Sequence, residues 1–141
     1  HQVRVIALGP PPPADRNRLL VRLQNEQIET HCLQGRNVLQ APLVWQRLSR
    51  LVAADPPVIA QSFLHHANTL AATVYPQYRI PLVGGLRVHQ PGRVRSWLQR
   101  WSLARMAKVV CVSQNVADLA RVRDGLNPQQ ALVIPNGVDL E

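Results

Sequence analysis

The sequence predicts an α/β fold: a three-layer sandwich of about six mostly parallel strands with helices on both faces. Three observations carry this. Short runs that are apolar throughout alternate with longer segments of helical periodicity, the pattern of strands buried on both faces of a parallel sheet. Gly, Pro, Asp and Ser mark the joins. A chain of 141 residues, 46% hydrophobic and 17% charged, has material for one domain with its own core, which excludes wholesale disorder.

The elements follow in order. Residues 3–8 form a β-branched run that ends at Gly9 and four prolines, hence a buried strand and a loop. Asp15 is placed to cap a helix reaching about Gln24, with Leu19, Leu20 and Leu23 on one face. Residues 28–33 read as a second strand closed by Gly35. A helix over 41–54 carries Pro42 in its first turn, where a missing N–H costs nothing, and Val44, Leu48, Leu51 and Val52 form its stripe. Residues 58–62 are a third strand, followed by a small-residue helix over about 66–74. Residues 80–86 are a fourth strand carrying Gly84 and Gly85. The helix over 93–106 gathers Val94, Trp97, Leu98, Trp101 and Ala104 on one face. Residues 108–112 are a fifth strand, Ser113 caps a helix over 114–123, and 131–134 is a sixth strand stopped by Pro135.

The charge is unusual in kind and place. Fifteen of the sixteen cationic residues are Arg, the net charge is +8, and no acidic residue lies between Asp55 and Asp118. That interval holds Arg79, Arg87, Arg93, Arg95, Arg100, Arg105 and Lys108. Guanidinium forks suit phosphate and carboxylate oxygens, so an anionic partner is implied: a nucleotide, a lipid phosphate, an anionic membrane face or nucleic acid. The plainer reading is a solvated basic face balanced by acids elsewhere. No apolar run approaches the roughly 18 residues of a membrane span. The first residues do not have the form of a signal peptide, and the absence of an initiator Met suggests a segment of something longer. Cys32 and Cys111 sit in apolar, strand-like stretches and are expected to be buried, reduced thiols of a cytosolic protein.

Parallel sheets bind ligands beyond the carboxyl ends of their strands. That directs attention to Gly9, residues 62–66, Arg87, Ser113 and the Asn136-Gly137 pair. Gly9 leads into prolines, and no glycine-rich dinucleotide or triphosphate loop is present, although Gly9 still lets a ligand approach the backbone. One of His65 and His66 is a candidate general base or hydroxyl-orienting group. No carboxylate or cysteine stands at ligand spacing from them, so no metal site is expected. Arg87, behind two glycines at a strand end, is a candidate for holding a phosphate. The Trp97 helix leaves two readings open: a basic helix lying on an anionic membrane with its Trp at the interface, or a core helix covering the sheet.

The last third resembles a known family. A strand ending Val112-Ser113, a capped helix, then Ile134-Pro135-Asn136-Gly137-Val138-Asp139 is similar to the amino-terminal half of family-four glycosyltransferases of the GT-B fold. The stretches Leu64-His65-His66-Ala67-Asn68 and Pro81 to Val88 look like a subgroup acting in surface-polysaccharide or lipopolysaccharide synthesis. The resemblance implies a Rossmann-like domain over 1–141, the acceptor half of a two-domain enzyme whose carboxyl-terminal donor domain is absent from this chain. It further implies transfer of a sugar, with retention, from a nucleotide sugar to a saccharide or lipid-linked acceptor, with no cofactor and no bound metal. His66 would be catalytic, Asn68 and Arg87 would line the acceptor side, and Gly9, Asn136 and Gly137 would lie near the donor. Relatives often have a glycine pair where this chain has prolines 10–13, and a His where Arg87 stands. Location is expected in the cytoplasm, peripheral to the inner membrane face. Without the donor domain, whose charged side chains would stabilise the leaving diphosphate, the chain alone is expected to be inactive.

Two other readings stand beside this one. A binding module that kept the fold and lost the chemistry would also account for the pattern. A nucleic-acid-binding domain is suggested by charge alone and disfavoured by the lack of interleaved exposed aromatics, so nucleic acid is not an expected partner.

Overall fold

The computed structural model describes residues 2–87 and 92–137. Val88, Val138 and Asp139 of the motifs above lie outside the described residues. The chain divides into two compact units, His1–Leu51 and Val52–Glu141.

In the first unit, strand β1 (Arg4–Ala7) pairs in parallel with β2 (Glu29–Cys32), in register from Arg4 opposite Glu29 to Ala7 opposite Cys32. Helix α1 (Arg18–Asn25) makes the crossover. Asp15 does not cap it. A short 3-10 turn over Ala14–Arg16 takes Asp15, and α1 starts after Asn17, with Leu19 left exposed. Helix α2 (Ala41–Ala54) has the bounds its stripe predicts, and Val44 and Leu48 are buried. The turn before it is set by Asn37, whose side-chain oxygen accepts the Gln40 N–H at 3.2 Å. From α2, Arg47 donates to the Leu33 carbonyl at 2.7 Å, tying the helix to the end of β2. Gly35 is demanded by packing, since a Cβ there would stand 2.7 Å from Val44 and 2.9 Å from the Leu8 carbonyl.

The second unit is a four-stranded sheet in the order β3-β4-β5-β6, every described pairing parallel. Its strands are β3 (Ala60–Phe63), β4 (Leu82–Leu86), β5 (Lys108–Cys111) and β6 (Ala131–Val133). The helices between them are α3 (His65–Val74), α4 (Arg93–Leu103) and α5 (Gln114–Asp124). The six expected strands are thus all present, divided between sheets of two and four. Helix α3 packs on β3 and β4, α5 packs on β5 and β6, and α4 packs against both helices. Val74, Leu82, Leu103, Met106, Val109 and Cys111 are buried in this unit. Ser113 caps α5 as expected, its hydroxyl accepting the Val116 N–H at 3.3 Å. Gly125 closes α5 in the left-handed region, with φ of 67°, where a side chain would be strained.

Helix α4 departs from one of its two readings, the core helix whose Trp face covers the sheet: Leu98 and Trp101 are half-buried and the rest of that face is exposed. Its buried residues are Ser102 and Leu103, while Trp97 is 64% and Val94 74% exposed.

Candidate functional site

All four strands of the second unit run the same way, so their carboxyl ends form one rim. After β3 come Leu64, His65 and His66; after β4, Arg87; after β5, Val112 and Ser113; after β6, Ile134 to Gly137. The rim is continued by backbone bonds beyond the strands: Val112 N–H donates to the Leu86 carbonyl at 3.2 Å, and Ile134 N–H to the Cys111 carbonyl at 2.9 Å. Arg87 and Asn136 leave strands two spacings apart, roughly 10 Å at the usual interstrand distance.

The turn from β3 into α3 is held in an unusual conformation. Leu64 has φ of 71° and ψ of 157°, a region populated almost wholly by glycine. No side chain caps α3; the Leu64 carbonyl accepts the Asn68 N–H at 2.9 Å as the first helical bond. His65 and His66 therefore occupy the opening turn of a helix whose first N–H groups point outward, a position that favours anions.

Behind the turn lies a buried polar clamp. Ser62 hydroxyl donates to Asn68 Oδ1 at 2.7 Å, and Asn68 Nδ2 donates to the Gly85 carbonyl at 3.1 Å. Asn68 is 2% exposed, so it binds β3, α3 and β4 together at their rim ends rather than projecting from them. Gly85 fits beneath Phe63, since a Cβ there would lie 3.0 Å from that ring and 3.3 Å from the Ser62 carbonyl. Phe63 is half exposed, and the Arg87 guanidinium sits 5.8 Å from its ring centre, a cation–π contact at the rim.

The two histidines differ. His66 is exposed on the rim, and its ring meets that of His65 edge-on, with centres 5.5 Å apart. His65 is half-buried, with its Nδ1 enclosed and without a hydrogen-bond partner. Desolvation, then the nearby Arg95 charge and His66, hold its pKa below the ordinary histidine value, although a hydrogen bond with Gln99 opposes them. Asn136 and Gly137 are exposed, and open space surrounds Gly137.

Of the residues singled out in the sequence, His66, Arg87, Asn136 and Gly137 stand on this rim, with Asn68 beneath it. Gly9 belongs to the first unit, just past the carboxyl end of β1. A Cβ on Gly9 would meet only the Gly35 carbonyl, at an ordinary 3.8 Å, and its φ is unremarkable, so neither packing nor backbone demands glycine there. The first unit also carries an open concavity of about 310 Å3 lined by His31, Cys32, Leu33, Arg47, Arg50 and Leu51, none of them predicted. Sequence reasoning pointed to residues 62–66 as a stretch but gave no role to the Ser62 donor, the Leu64 conformation or the Phe63 platform. Among the described residues, no three His, Cys, Asp or Glu side chains come together to hold a metal ion.

Comparison with known proteins adds the following. The family model described as Glycosyltransferase Family 4 matches residues 1–141. Among solved structures, Alr3699/HepE of Anabaena, crystallised in complex with UDP, is similar at 17% identity and a TM-score of 0.64 over 99% of this chain. The chain spans 45% of that protein's length. The likeness shows the fold: Rossmann-like α/β, with parallel sheets and helices on both sides. No curated protein matches.

Proposed function

The chain belongs to glycosyltransferase family 4, and on that premise we propose that residues 1–141 are the amino-terminal, acceptor-side domain of a retaining GT-B enzyme. The enzyme moves a sugar from a nucleotide sugar to a saccharide or lipid-linked acceptor in surface-polysaccharide synthesis. The observation that carries this reading is the common rim. An exposed imidazole, an aromatic-backed guanidinium and the Asn136-Gly137 turn follow strands that all end at one edge of one sheet.

The chemistry assigns each group a task. Transfer breaks the bond between the anomeric carbon and the diphosphate oxygen, and forms one to an acceptor hydroxyl. Negative charge grows on the diphosphate, and fixed donors aimed at it lower the barrier. His66 accepts the hydroxyl proton or orients the hydroxyl. Arg87, steadied by Phe63, holds an anionic group of the acceptor. Asn68 serves the acceptor side as a positioning residue, through the Gly85 carbonyl it holds. Asn136 and Gly137 approach the nucleotide, and Gly9, in the first unit, has room for a ligand at its own backbone. The HepE complex supports a uridine diphosphate sugar as the first donor to try.

Turnover requires a carboxyl-terminal donor domain. Residues 1–141 alone are expected to release no nucleoside diphosphate from UDP-, GDP- or ADP-sugars. With the donor domain attached, release is expected, and NMR of the product should show the donor's anomeric configuration retained. Inversion of that centre contradicts the reading. Saccharide binding by the two-domain protein without transfer supports a binding module instead.

A further inference from the structure

We propose that the outward face of α4 docks onto an anionic lipid bilayer. At about 3.6 residues per turn, positions 93, 97, 100, 101 and 104 share one side of α4 and the residue after it, with 94 and 105 at its border. Most of that side faces water: Arg93, Trp97, Arg100 and Ala104 are exposed, and Trp101 is half-buried. Trp97 is 64% and Val94 74% exposed, while the same helix buries Ser102 completely. A helix that sends serine inward and tryptophan outward is not placed by the protein core alone.

The charges on this face identify its occupant. Arg93, Arg100 and Arg105 are all exposed and flank the aromatic centre. Arg105 stacks on Trp101 at 3.9 Å and donates to the Trp101 carbonyl at 3.0 Å, which braces the ring beside its own charge. No carboxylate lies anywhere between Asp55 and Asp118. A second protein surface rarely offers an apolar centre ringed wholly by anions. A bilayer of anionic lipids does: Trp settles at headgroup level and guanidinium groups meet the phosphates. The helix has 11 residues, and among the described residues no helix is long and apolar enough to cross a membrane. It therefore lies on the surface, with Trp97 as the inserted wedge. This inference is separate from sugar transfer, and its failure leaves that reading untouched.

The test is flotation of the protein with vesicles of phosphatidylglycerol and phosphatidylcholine in equal parts, against phosphatidylcholine alone. Binding to the anionic vesicles is expected, with a blue-shifted tryptophan emission and release in high salt. Arg93→Gln and Arg100→Gln should each weaken binding roughly fivefold. Trp97→Ser should abolish the blue shift without changing the thermal melt. Leu39→Ser, at a 90% exposed apolar position of the first unit, should leave binding as it was. Any of four results overturns the proposal: no flotation, equal binding to both vesicle types, binding unaltered by Trp97→Ser, or salt-sensitive binding to an oligonucleotide with none to vesicles.

Discussion

The Ser62 hydroxyl and the Asn68 amide oxygen lie 2.7 Å apart, both residues buried, and this bond fixes where α3 begins relative to β3. Asn68 is engaged on both sides, since its amide nitrogen serves the Gly85 carbonyl. Replacing it with Ala leaves the hydroxyl and the carbonyl without partners in a dry site. Asn68→Ala should cost about 1–3 kcal/mol, read by denaturant unfolding, and Ser62→Ala less.

Leu64 stores strain at the same turn. Its side chain is mostly exposed, so Leu64→Gly gives up little burial and releases a conformation worth about 1–3 kcal/mol. Part of that gain is lost to the greater freedom of unfolded glycine, roughly 0.5–1 kcal/mol. The melting temperature should rise. A fall would mean that Leu64 contributes packing beyond its exposed position.

The two glycines of the first unit should respond differently. Gly35→Ala drives a Cβ to 2.9 Å from the Leu8 carbonyl, which is backbone and cannot step aside, so a loss of about 1–3 kcal/mol is expected. Gly9→Ala has room and should stay within about 0.5 kcal/mol of the parent in stability. In the two-domain enzyme it should instead raise the donor KM.

Acid should destabilise the second unit through His65. Burial and Arg95 lower its pKa in the fold below the unfolded value of about 6.5, so the unfolded chain binds the proton more readily. The stability tied to its neutral form is fully present above that unfolded value, and is lost as pH falls toward and through the lower folded value. His65→Gln should flatten the pH dependence of unfolding as pH falls below about 6.5.

Much of the fold was legible in the sequence, and the exceptions have physical causes. Helix α2 has its predicted bounds because Pro42 opens it and Asp55-Pro56-Pro57 ends it. Strand β3 starts two residues later than its apolar run, since Val58 and Ile59, just past the proline pair, stay outside the ladder at 91% and 60% exposed. Helix α4 kept its start, but Val94, Trp97 and Ala104 of its apolar face turned outward, with Leu98 and Trp101 half-buried. Periodicity reports that a helix has two faces without saying which one meets the core. Parallel strands made the rim foreseeable, and with it Arg87, Asn136 and Gly137. The Ser62–Asn68 clamp and the Leu64 conformation leave no mark in composition. One is a tertiary pairing of ordinary polar residues, and the other a backbone state imposed on a residue that disfavours it.

The most direct measurement is the rate at which the two-domain enzyme releases nucleoside diphosphate from its nucleotide sugar in the presence of acceptor, with His66→Ala and Arg87→Met compared with the parent. Both side chains are exposed, so both variants should melt as the parent does. The rim account predicts a roughly 100- to 10,000-fold drop in kcat for His66→Ala, and for Arg87→Met a raised acceptor KM with the donor KM unchanged. Parent-like rates and KM values in both variants would contradict it.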